Sequence, residues 1–194
     1  MGEEILYRKF DHIYNVIQNP AFLNMDSLGG EIPFWISTYE ATQENEVNTE
    51  IQNMVKKLQN NGIKPHLINL FELSISLLET HVGLEKIFKV EQRKSKERFK
   101  KALQSSINIH ERFIPVIKDQ VKENNPDLLI INGVGSAFPF IRSHNVLNNL
   151  QSAVKDIPTV MFFPGKYTGE SLNLFGKLKD DNYYRAFNID NYKI

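Results

Sequence analysis

The side chains best suited to bind or polarise a ligand fall in two short stretches, Gly133–Asn145 and Pro164–Glu170. Together they supply Ser136, Arg142, Ser143, His144, Lys166, Tyr167 and Thr168. An arginine presents a planar fork to a phosphate or carboxylate, and a lysine adds a point charge. Gly133 and Gly135 follow an apolar run, so backbone amides of a glycine-rich turn at a helix start would add partial positive charge. This set favours an anionic partner. The same polar groups also serve a second reading, in which Arg142 and His144 tie the loop to the fold by hydrogen bonds.

Familiar catalytic patterns do not fit. Gly133-Val134-Gly135-Ser136-Ala137-Phe138 has two glycines of a dinucleotide fingerprint, but Phe138 stands where a small residue must let helix and strand pack closely. Pro164-Gly165-Lys166-Tyr167-Thr168 is like the end of a phosphate loop. However, Val160 occupies the position of that motif's first glycine, and Tyr167 replaces the magnesium-binding hydroxyl residue. Ser136 lies outside a Gly-x-Ser-x-Gly elbow. The histidines His12, His66, His81, His110 and His144 are scattered singly, without zinc-ligand spacing, and no metal or other cofactor is expected. The chain has no cysteine, which removes thiolate nucleophiles and Cys-type zinc sites and fits a reducing compartment.

A second cluster is the block Lys89–Lys101, in which Lys89, Arg93, Lys94, Lys96, Arg98, Lys100 and Lys101 face only two acidic residues. On a helix such a density could follow a phosphate backbone, cover an acidic protein surface, or form a solvated face. With Phe88, Val90 and Phe99 interleaved and Lys plus Arg equal to Asp plus Glu at 23 each, a protein contact is the expectation. Nucleic acid is the alternative partner.

The elements that must position these residues follow from hydrophobic period. Leu128-Leu129-Ile130-Ile131 reads as a strand buried on both faces, which parallel sheets produce, and the loop after it opens at the edge where α/β sheets bind ligands. Ile5, Leu6, Phe10, Ile13 and Ile17 predict an amino-terminal helix over residues 3–18, stopped by Asn19-Pro20. After a Gly29-Gly30 turn, residues 32–39 read as a strand, 43–61 as a helix and 65–70 as a second, parallel strand, making a βαβ unit. Residues 71–122 are helical by period, with a break near Gly83 and a kink near Pro115. The pattern continues with a helix over 146–154, a strand over 158–163 ending in Pro164-Gly165, a helix over 170–178 and a last strand over 183–189. Asp180-Asp181 fits a turn.

The sum is an α/β fold, a three-layer sandwich with a mostly parallel sheet of about five strands and an added helical region. At 194 residues, with 41% hydrophobic and 24% charged side chains, the chain reads as one globular domain over 1–194. Within it, residues 1–20 form the amino-terminal helix and 71–123 the helical insertion. Charges interrupt the amino-terminal apolar pattern and no run approaches the ~20 residues of a membrane span, so the expectation is a cytoplasmic protein without a membrane partner.

One ordered set of motifs carries more. Gly29–Ile36 (GGEIPFWI), Asn132–Gly135 (NGVG), Phe138–His144 (FPFIRSH), Phe163–Tyr167 (FPGKY) and Tyr184–Phe187 (YRAF) resemble the BrxB family, small components of bacteriophage-exclusion (BREX) defence systems. The resemblance implies a role beside a methyltransferase, a large ATPase and a phosphatase-like PglZ protein. It implies no catalytic activity of its own, and marks a surface at Arg142, His144, Lys166, Tyr167 and Arg185. The expected function is therefore a non-enzymatic assembly or adaptor subunit, with the PglZ-type protein as first partner and the methyltransferase or ATPase next. The alternative is a nucleotide- or nucleic-acid-binding protein or enzyme working through the Gly133–Gly135 and Pro164–Lys166 loops.

Overall fold

A computed structural model describes residues 2–26, 32–179 and 186–193. The Gly29-Gly30 turn, Asp180-Asp181, Tyr184 and Arg185 lie outside the described residues. The chain opens with α1 (Gly2–Ile17) and a short α2 (Pro20–Leu23), where Asn19 Oδ1 accepts the Ala21 N–H and Pro20 starts the new helix as well as stopping the old one. Then come β1 (Phe34–Tyr39), α3 (Glu44–Asn60) and β2 (Pro65–Asn69). The helical region divides into α4 (Leu70–His81), α5 (Leu84–Arg93), α6 (Lys96–Ile107) and α7 (Ile114–Asn124). The remainder is β3 (Leu128–Asn132), α8 (Val134–Ala137), α9 (Ser143–Ala153), β4 (Thr159–Tyr167), β5 (Leu172–Leu174), β6 (Leu178–Lys179) and β7 (Phe187–Asn188).

The main sheet runs β2-β3-β4-β1-β7 with every pair parallel. Its two faces carry two separate cores. Leu128, Ile130, Val160, Phe162 and Trp35 point to α1 and α3, while Leu129, Ile131, Met161, Phe163, Phe34 and Ile36 point to α4, α6, α7 and α9. This alternation is the strand's period of two, and both sets are buried because helices cover both faces. The fold is the expected three-layer α/β sandwich, and α4–α7 supply much of one layer.

Several elements differ from the sequence expectation, each for a physical reason. β1 and β2 are parallel but not neighbours, since β3 and β4 lie between them. The helix expected over 170–178 is a strand pair: Leu172 and Leu174 are buried on either side of Asn173, a period of two, and β5 pairs antiparallel with Gly165–Tyr167. β4 therefore continues past Pro164, at the point where its ladder changes from parallel β1 to antiparallel β5. A proline without an N–H is tolerated at such a change of partner. Ile5 is 66% exposed, and Tyr14 and Val16 occupy the inner face of α1 beside Phe10 and Ile13. A π-turn at Ile109–Phe113 shifts the apolar stripe, so Phe113 is fully buried and His110 faces outward. The break at Gly83 stands as expected, with the turn between α4 and α5 there.

Candidate functional site

The two strand-end stretches do meet, and the chain itself fills the space between them. Gly133 ends β3 with φ +71°, and a Cβ there would sit 2.1 Å from Asn69 Oδ1. That oxygen is occupied, accepting the Phe71 and Glu72 N–H groups at 3.0 and 3.2 Å to cap α4. Thus the glycine admits a neighbouring strand's cap. A Cβ on Gly135 would meet Pro164 Cγ and Phe175 Cε1, each at 3.0 Å, and the Phe175 ring packs edge-on against Phe138 at 6.3 Å. Tyr167 is part-buried, its hydroxyl within hydrogen-bond reach of the Gly169 carbonyl at 2.9 Å and the Ala186 carbonyl at 2.7 Å. Lys166 is exposed beside it.

Arg142 lies elsewhere. It precedes α9, is exposed, and lines an open groove of about 710 Å³ between α6 and the segment joining α8 to α9. His144 falls in the first turn of α9. The α6 wall presents Glu97, Lys100, Lys101, Gln104, Ser105 and Asn108, a spacing of three and four that puts all six on one helix face. The opposite wall is Phe138-Pro139-Phe140, whose rings pack back onto the core while leaving an edge in the groove. Ile109 and His110 of the π-turn close one end. Gln104 Nε2 donates to the Pro139 carbonyl at 3.0 Å and fixes the walls to each other.

The groove holds three basic side chains, Lys100, Lys101 and Arg142, against one carboxylate. Lys100 is engaged with Glu97 at 3.3 Å, an exposed pair of small energetic weight. No ion pair or hydrogen bond holds Arg142 or Lys101 among the described residues. The geometry can therefore receive carboxylates or phosphates without first breaking an internal bond.

The basic block does not form one stripe. Lys94 and Ser95 are extended between α5 and α6, so Lys89 and Arg93 belong to one helix and Lys96, Arg98, Lys100 and Lys101 to another. Only Lys100 and Lys101 of the seven line the groove. The basic run ends at Lys101. The three-and-four spacing that continues it through Gln104, Ser105 and Asn108 was the signal for this wall, and nothing local pointed to its pairing with Arg142.

A polar network occupies the carboxyl ends of β1 and β3 on the other face. Tyr39 donates to Glu44 Oε2 at 2.6 Å, Asn48 reaches Glu44 at 3.5 Å, and Asn132 Nδ2 donates to Asn48 Oδ1 at 2.8 Å. Burial, the hydrogen bond to Glu44 and that carboxylate's charge push the Tyr39 phenol far above its ordinary range. Asn132 Oδ1 is buried and accepts no bond among the described residues. Among them, too, no group of three or more His, Asp or Glu is placed to hold a metal ion, and no helix is long and apolar enough to cross a membrane.

These features define a three-layer α/β protein with Asn69, Pro164 and Phe175 packed against the turn after β3 and an open cationic groove. Comparison with known proteins places it more narrowly. The family model for BREX protein BrxB matches residues 66–189. The BREX protein BrxB of Bacillus cereus (strain H3081.97) is 37% identical over 185 residues, covering 93% of this chain and 95% of that one. Its counterpart in Escherichia coli O9:H4 (strain HS) is 29% identical over 189 residues, covering 97% and 94%. The chain belongs to the BrxB family.

Proposed function

We propose that this protein is a non-enzymatic assembly subunit of a BREX-type anti-phage defence system, holding other BREX proteins together. Membership of the BrxB family supports the BREX setting. The observation that carries the adaptor role is the closed edge between β3 and β4. The place where an open α/β sheet would take a small substrate is filled by Asn69, Pro164 and Phe175. A polar surface that is open is the groove at Arg142, on an outer face suited to another macromolecule. The PglZ-type protein is the first partner to test, then the methyltransferase and the ATPase. Co-expression of the tagged chain with each component, followed by affinity purification, is expected to recover at least one of them in stoichiometric amount. Recovery of the chain alone in every pairing would remove the proposal's support.

A further inference from the structure

We infer that the groove between α6 and the Phe138–Arg142 segment receives an acidic peptide segment of a partner protein, one with apolar residues among its carboxylates; this rests on the assembly reading above. Three features fix the chemistry of the occupant. First, Arg142 and Lys101 stand exposed, without ion-pair or hydrogen-bond partners among the described residues, on opposite walls of one groove. Two such cations are complementary to carboxylates spaced along a chain. Second, the wall that carries Arg142 is apolar beside it: Phe138, Pro139 and Phe140 are part-exposed here, with Ile109 at the end of the groove, and they offer contact to apolar side chains. Third, the walls are pre-set, because Gln104 holds Pro139 and Asn108 binds Glu111 through both its side-chain atoms at the end of α6. A pre-formed groove avoids ordering costs when an extended segment enters.

A nucleic acid fits less well. Helix-long phosphate tracking needs cations in one row, and the break at Lys94-Ser95 divides the basic block between two helices, leaving Glu97 on the groove's rim.

The test uses the intact chain and fluorescein-labelled twelve-residue peptides that alternate Glu with Leu and Phe, with a Lys-for-Glu peptide, a DNA duplex and a single strand as comparisons. Anisotropy at physiological salt is expected to show the acidic peptide binding with Kd below about 100 μM. The Arg142→Glu/Lys101→Glu variant should lose roughly tenfold or more in affinity. Arg142→Gln/Lys101→Gln, which removes charge without adding any, should lose less, and both variants should keep the wild-type melting temperature because both sites are exposed. No peptide binding at millimolar concentration, equal binding of the basic peptide, tighter binding of either DNA, or unchanged affinity in the reversed variant would each overturn the inference. Complex formation with purified BREX components separates the two readings. If wild type and reversed variant assemble equally well and the acidic peptide does not compete, the groove inference fails and the assembly role stands. If wild type assembles with none of them, the assembly role itself fails.

Discussion

Tyr39 is 7% exposed and gives its proton to a hydrogen bond with Glu44, so its ionised form is disfavoured in the folded state. In the unfolded chain the phenol titrates near pH 10, with the folded value above it. Below that pH both states hold the proton and the contribution to stability is intact. As pH rises further, the unfolded state releases its proton while the folded state does not, so stability falls. Tyr39→Phe is expected to cost about 1.5 kcal/mol at about pH 8, through the lost bond to a carboxylate. The difference from wild type should shrink by about pH 11, because the variant escapes this loss. Urea midpoints at the two pH values check both parts. Gly133→Ala tests a different contact. Its Cβ would displace the Asn69 oxygen that caps α4, and φ +71° is strained for alanine. About 2 kcal/mol should be lost, read as a melting temperature lower by about 4–8 °C. The sequence made Gly133 legible as a close-approach glycine. It did not show that the approaching group is Asn69, 64 positions earlier in the chain, since a glycine's spacing carries no information about what enters the space it leaves.

At the scale of elements, helices differ in how much they bury. α3 sends Val47, Ile51, Met54, Val55 and Leu58 into its core, while α5 buries Ile87 and leaves Phe88 56% exposed. With few apolar contacts, α5 should open locally at lower free energy. Native-state hydrogen exchange is expected to show α5 amides exchanging roughly tenfold or more faster than those in the middle of α3. Equal protection would mean that α5 is held by something other than its packing. The elements that sequence revealed were those whose burial follows one period throughout: β3 with its unbroken apolar run, α3, and the break at Gly83. Those it missed change period or partner within a few residues. Leu172–Leu174 is too short for period two to stand out from a helix, and it is a strand only because Gly165–Tyr167 offers a ladder. The π-turn at Ile109–Phe113 adds a residue to the helical repeat, which moved His110 out and Phe113 in.

On the scale of the whole molecule, both ends of the chain close the same core. Asp190 accepts from Ser37 Oγ at 2.8 Å and pairs with Lys9 at 3.0 Å, while Lys9 also bonds the Thr38 carbonyl. Around this junction Phe22 packs on Trp35 at 4.4 Å and meets Tyr192 edge-on at 5.7 Å. Two-sided burial in β3 announced the three layers, yet the strand order β2-β3-β4-β1-β7 was not legible, because an apolar run specifies that a strand is central without naming its neighbours. Asn69, Pro164 and Phe175 pack against Gly133 and Gly135 at the end of β3, while the cationic outer groove at Arg142 is open. An assembly role requires a surface that engages a second BREX protein directly, in this groove or elsewhere. The decisive measurement is the mass, by light scattering during gel filtration, of the chain mixed with equimolar PglZ-type protein, and then with the methyltransferase and the ATPase, at micromolar concentration. The account predicts that at least one mixture elutes as a single species with the summed mass of its components; separate elution of the chain from all three would contradict it.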